Sequence, residues 1–413
     1  MTSQATPTRQ PPSRARPHDK TQGRTRPWLR RILGRALAPS EDEYQAITAA
    51  LWQGDTDMDA LVDWMHQYGP REARALFEQA LNEGVASMDA PPEPLRQFFS
   101  RVEQEPAWLD HRQLAEGARF IHGTGLAATY VLRDLALMGG YLLSGFNQSL
   151  VMTGALSKGT SRRVAETGQW WIDCTEPGGL ERGGAGFKST LRVRLIHSLV
   201  RRNLAGRPQW RSERWGVPLC QTDMVATYLG FSVVMLGGLR KLGVPVTRRE
   251  SRAVMHLWRY ACWLMGVDPR WLVCGEREGV LLLHHCLLTQ SRPDQTSREL
   301  GQALAREPLE RHYRRFPRAR RWIAYHTHLS VSRYFLDRTK MRQLGLPGHI
   351  HAWYPWLTLL PRLSAYSVAR LLPGLRAGQQ RRGRRAQRQA LATLLGGGPR
   401  ASIEPEQRRP GHP

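Results

Sequence analysis

Cysteine is scarce in this chain of 413 residues: Cys174, Cys220, Cys262, Cys274 and Cys286 are the five, dispersed and with no C-x-x-C among them. An odd, scattered set excludes a disulfide frame and a cysteine-based zinc site, and predicts reduced, mostly buried thiols. The missing C-x-x-C-H excludes a haem attached through thioethers. H-E-x-x-H and G-x-S-x-G are absent too, which leaves a zinc or serine hydrolase without an anchor. No internal repeat is visible, and period-two alternation is scarce, so solenoid and sheet architectures are both disfavoured. Long apolar runs are lacking as well. The longest uncharged one, "MVATYLGFSVVMLGGL" from Met224 to Leu239, has sixteen residues, short of the ~20 a spanning helix needs; it reads as a buried core helix.

Acidic residues are few, 35 against 60 Lys and Arg, for a net charge of +25. The excess is uneven. Residues 1–40 carry nine basic side chains against one acid, and residues 374–413 nine arginines against two glutamates. Such compositions bury too little to offset the entropy of ordering, so residues 1–40 and 373–413 are expected to be disordered basic tails. A twin arginine in "PWLRRILGRALAPS" and the cleavage-like "ALA" raise export, yet Arg35 breaks the apolar run after three residues. The expectation is a cytoplasmic, membrane-peripheral protein, with export left open. The segment "ERHYRRFPRARRWIAYH" could contact phosphates, but no nucleic-acid-reading module is legible. An anionic membrane surface suits the basic tails and the 14 tryptophans better than nucleic acid does.

From Ser40 onward the pattern is helical almost throughout. "SEDEYQAITAALWQG" has an N-cap serine, early acids and a closing glycine, and "GPREARALFEQALNEG" repeats that logic. Further helices are expected over 93–102, 111–145, 160–173, 188–204, 221–242, 247–266, 277–290, 297–314, 317–337 and 351–371. Together they predict one large all-α domain over residues 41–372. "EPGGLERGGAGFKST" interrupts the helices and superficially resembles a phosphate loop. Phe187 stands where that motif requires glycine, so a connection bringing two helices together is the better reading.

Two constellations could carry chemistry. In "STLRVRLIHSLVRRNLAG", Arg194, His197 and Arg201 fall at i−3, i and i+4 and project from one side. An imidazole between two guanidinium forks suits a planar, dianionic metal cofactor; a solvated basic face with an incidental histidine is the alternative. In "SRRVAETGQWW", Arg163, Glu166, Thr167 and Trp170 form a stripe at i, i+3, i+4 and i+7. An exposed Arg163–Glu166 pair would explain it equally well. His284 and His285 are adjacent and point about 100° apart on a helix, and His256 reads as core or pocket lining.

Taken together, "SKGTSRRVAETGQWW", "GGLERGGAG", "LRVRLIHSLVRR" and "WGVPLCQTDMVATYLGFSVVMLGGLRKLGV" resemble the latex clearing proteins (rubber oxygenases) and MpaB-like oxygenases, over about residues 120–290. The resemblance implies an all-α protein holding a non-covalent haem b in a buried apolar pocket. It also implies an oxidoreductase that uses dioxygen on C=C bonds of a hydrophobic, isoprenoid-like substrate. His197 falls on the family's proximal iron ligand, with Arg194, Arg201 and Trp170 beside the cofactor. Arg163, Glu166 and Thr167 fall on the distal, catalytic pattern, and Glu166 stands where rubber-cleaving members have lysine. Three other classes remain open: a haem sensor or carrier, a peroxidase-like enzyme, and a basic membrane-associated scaffold.

Overall fold

Helices supply the regular structure in the computed structural model, which describes residues 9–23, 25–154 and 159–396; no strand occurs among them. The N-terminal part runs α1 (Pro27–Leu33), α2 (Glu41–Ala49), α3 (Thr56–Tyr68), α4 (Pro70–Glu83), α5 (Glu93–Glu103) and α6 (His111–Gly123). The middle follows as α7 (Leu126–Gly140), α8 (Ser144–Met152), α9 (Thr160–Cys174), α10 (Ala185–Ala205) and α11 (Gln221–Lys241). The remainder is α12 (Arg248–Leu264), α13 (Glu276–Leu288), α14 (Gln295–Arg306), α15 (Pro317–Phe335), α16 (Trp353–Leu371) and α17 (Pro373–Leu395).

Helix starts follow local chemistry. Ser40 and Glu43 close a capping box on α2, Thr247 and Glu250 another on α12, and Asp55 caps α3 by accepting from the Met58 amide. The expected single helix over 111–145 is broken in two places. Gly125, at φ 53°, separates α6 from α7, and α7 turns by 97° into α8. Inside α7 and α11, residues Leu132–Leu137 and Gly230–Val234 widen to π geometry, and the two wide turns pack against each other. Such insertions recur at functional sites because they re-aim side chains without ending the helix. Around Met224–Leu239 the helix is mostly buried, as expected of a core helix.

The main core is built on Trp258, Tyr228, Phe77, Phe99 and Phe187, all fully buried, and a second cluster around Met138, Tyr141, Leu304 and Met341 abuts it. An ionic network sits inside: Arg133 bridges Asp134 and Glu307, Arg311 joins Glu307 at 2.7 Å, and His328 Nδ1 meets Asp134 at 2.7 Å. All five cysteines are free and only Cys274 is exposed.

Both basic ends correct the expectation of disorder wherever they are described. Arg14 is buried, paired with Asp223, and donates to Thr289 O at 3.1 Å and Trp215 O at 3.0 Å. Residues 373–395 form α17, which packs on α6 and α9. Arg384 donates to Ile172 O at 2.7 Å and pairs with Glu176, while Gln387 donates to Ile121 O at 2.9 Å. Gly383 lies so close to α6 that a Cβ there would stand 2.1 Å from His122 O. An arginine-rich composition looks solvated until carbonyls at helix ends take up its donors. Residues 1–8 and 397–413 of the expected tails lie outside the described residues.

Candidate functional site

The glycine-rich stretch does what a helix connection must. α9 and α10 form an antiparallel hairpin across it, and the approach is close enough that a Cβ on Gly186 would meet Cys174 Cα at 2.6 Å. Trp170 Nε1 donates to Thr190 Oγ1 at 2.9 Å. These two contacts fix the register. Continued for two turns, about 10 Å at a rise of 1.5 Å per residue, it sets Arg163 at the level of His197.

His197 shares its side of α10 with Thr190, two turns earlier. Neither ring nitrogen has a hydrogen-bond partner among the described residues, and Nδ1 is fully buried. Burial, reinforced by the charge of Arg201 and opposed by Asp55, pushes the imidazole down to about 4. At neutral pH the ring is therefore uncharged, with a free lone pair. The residue as a whole is only partly buried, so part of it stays accessible.

The two arginines beside it are spent differently from the sequence expectation. Arg194 grips Asp55 with Nε at 2.6 Å and Nη2 at 2.8 Å, and Arg201 meets Asp59 at 2.5 Å while donating to Pro218 O at 3.1 Å. Ser198 Oγ also donates to Asp59. Both forks are buried and saturated by protein acceptors, so they lock α10 onto the start of α3 instead of pointing at a cofactor. Gly266 lies beneath the first pair, where a Cβ would come 2.1 Å from Asp55 Oδ2. The fixed position of His197 is the product of this clamp.

On α9 the stripe divides. Trp170 is buried against Phe231 of the wide turn in α11, edge-on at 5.2 Å, and against Trp258 at 5.5 Å. Arg163 is half-buried beside Tyr141, with no hydrogen bond or ion pair among the described residues. Glu166 does not sit desolvated beside Arg163; it pairs with Arg162 at 2.9 Å on a more open face. Thr167 is exposed. The stripe thus runs from an aromatic floor at Trp170 to an open rim at Glu166 and Thr167.

Two of the other histidines singled out in the sequence have structural partners. His256 Nε2 accepts from the Asp110 amide at 2.9 Å, and His285 meets Leu37 O at 3.1 Å. Among the described residues no three His, Cys, Asp or Glu side chains converge on a metal-sized space. A neutral imidazole with no hydrogen-bond partner among the described residues fits a metal that brings its own equatorial ligands, which is what a haem does. Sequence reasoning missed Asp55, Asp59, Thr190, Phe231 and Trp258. Only the acid-rich "GDTDMD" ahead of α3 hinted at anchors for arginine.

Fold and site together define an all-helical protein with one free imidazole set deep between two helices of a hairpin. Residues 124–376 match the family described as ER-bound oxygenase mpaB/B'/rubber oxygenase, catalytic domain, and the chain belongs to that family. The rubber oxygenase of Streptomyces sp. (strain K30) is 24% identical over 212 residues, 48% of this chain and 49% of that protein. The chain thus spans about half the length of the curated relative it matches. The structure of latex clearing protein LCP in the closed state shares the fold, with a TM-score of 0.54 and 17% identity over 83% of this chain and 91% of that chain.

Proposed function

We propose that this protein is a haem b-dependent oxygenase that uses dioxygen to oxidise or cleave C=C bonds of a hydrophobic, isoprenoid-like substrate. The observation that carries the reading is His197: partly buried with Nδ1 enclosed, neutral at pH 7, without a hydrogen-bond partner on either ring nitrogen among the described residues, and held in place by two arginine–aspartate clamps. Its imidazole would hold the cofactor, and the bound haem would supply the redox chemistry that no side chain here can provide. Membership of the oxygenase family supports the same reading.

The chain's own residues have definable tasks. Trp170, Phe231 and Trp258 pack into one aromatic cluster, an apolar surface that would exclude water and suit a hydrocarbon substrate. Arg163, without a hydrogen bond or ion pair among the described residues, would donate to a polarised oxygen. Glu166 is the available proton acceptor at the rim, through a carboxylate oxygen released from Arg162.

The absorption spectrum and pyridine haemochrome of the purified protein test the cofactor. Copurifying haem that is lost in His197→Ala is expected; absence of haem, with none bound on addition, overturns the reading. Oxygen consumption with a prenyl lipid or polyisoprene tests the reaction. There Glu166→Ala is expected to retain haem and lower turnover ~100-fold, the lower range for a general base.

A further inference from the structure

α16 is amphipathic the wrong way round for a core helix. Its polar groups face inward: Arg362 donates to Leu242 O at 2.7 Å, Arg370 to Pro245 O at 2.7 Å, and the Tyr354 amide to Ser330 Oγ at 3.0 Å. Pro355, Tyr366 and Ala369 face the body, but most of its large apolar side chains face out. Trp356, Leu357 and Leu360 are 64%, 69% and 68% exposed, and the stripe continues through Leu363 to Leu371, 78% exposed, and Leu372. Scattered exposed leucines need no explanation, but a continuous stripe at helical spacing with tryptophan at its start does.

Charge at the end of the stripe selects the partner. Neither α16 nor α17 contains an acidic residue. Where one helix hands over to the other, a groove of about 630 Å³ opens, lined by Arg119, Arg249, Arg370 and Arg376 together with Glu116 and Glu250. Arg381 and Arg382 follow on α17, exposed and without partners among the described residues. Arg370 and Arg376 pair with Glu250 and Arg249 with Glu116, so the uncompensated charge on this face is that of Arg381 and Arg382, which a second copy seated here would only duplicate.

We infer that α16 lies in the plane of an anionic lipid membrane, with the Trp356–Leu372 stripe at the acyl boundary and Arg381 and Arg382 of α17 on lipid headgroups. A 19-residue helix of about 28 Å with tryptophan, leucine and flanking arginine is suited to lie on a bilayer rather than span it. This surface, and not the outermost ends of the chain, would make the protein peripheral to the membrane. It would also place the enzyme at the phase in which a hydrophobic substrate dissolves.

Sedimentation with vesicles tests this without reference to the cofactor, because binding is read whether or not haem is present. The purified full chain is expected to pellet with an equal mixture of phosphatidylcholine and phosphatidylglycerol, less with phosphatidylcholine alone, and less at high salt. Leu357→Glu/Leu360→Glu, both fully surface changes, should weaken binding ~tenfold or more while the circular dichroism spectrum is unchanged. Arg381→Glu/Arg382→Glu should remove the preference for anionic lipid. Vesicle binding unaffected by the leucine changes, or no binding at all, overturns the inference. So does a dimer in light scattering that the same leucine changes dissociate, which would assign the stripe to a second copy.

Discussion

At the scale of single residues, the site depends on groups whose charge states are set by what surrounds them. An unfolded histidine titrates near 6.5, whereas burial and Arg201 hold His197 at about 4. As pH falls the unfolded chain therefore takes up its proton first. The contribution of His197 to stability is complete above about 6.5 and is lost progressively toward 4. At about 1.4 kcal/mol per pH unit of difference, this is a contribution of a few kcal/mol at most. Urea midpoints measured at about pH 7.5 and about pH 4.5 should differ more for the wild type than for His197→Leu. The clamp is open to a separate test. Asp55→Asn leaves Arg194 buried with its charge uncompensated, and removal of one partner of a buried pair costs about 3–5 kcal/mol. A matching loss of stability, with the haem content falling alongside, is the expected outcome by denaturant titration and absorption.

At the scale of elements, the hairpin of α9 and α10 depends on glycines at its crossing, and α17 depends on one glycine against α6. Gly383→Ala would put a methyl 2.1 Å from a backbone oxygen; neither helix can yield there without losing the Gln387 and Arg384 contacts. The expected cost is in the range of overpacking, about 1–3 kcal/mol, read as a lower thermal midpoint. What could be foreseen at this scale follows from local chemistry. Capping residues, periodic leucines and terminating glycines marked most helices to within a few residues, and the Phe187 segment was legible as a connection. The wide turns in α7 and α11 were not, because a π turn arises from packing between two helices about a hundred residues apart. Arg194 and Arg201 were legible as a basic face, but their partners lie 139 and 142 residues away. Periodicity within one helix carries no information about such acids. Glu166 was misplaced for a smaller reason: Arg162 and Arg163 are both within helical reach of it, and the exposed one takes it.

At the scale of the whole molecule, the described parts of both basic ends belong to the body. Arg14 reaches Asp223, Thr289 and Gln290, and α17 covers the α6–α9 surface. Arg14→Ala leaves Asp223 buried without its principal cation, and a loss of about 3–5 kcal/mol is expected in urea unfolding. Net charge of +25 is consequently not a measure of how much of the chain is solvated, since several of these guanidiniums end on backbone carbonyls in the interior.

The Arg14 anchor also sets an order of events. Its partners lie 201 to 276 residues further along the chain, so on a ribosome this segment is made well before the residues that receive it. At synthesis rates of about 5–20 residues per second, it waits on the order of ten seconds or more before Asp223, Thr289 and Gln290 exist to receive it. During that interval the arginine-rich stretch around Arg14 is free to engage whatever anionic surface is nearby, and its docking is tied to synthesis of the segment around Thr289 and Gln290.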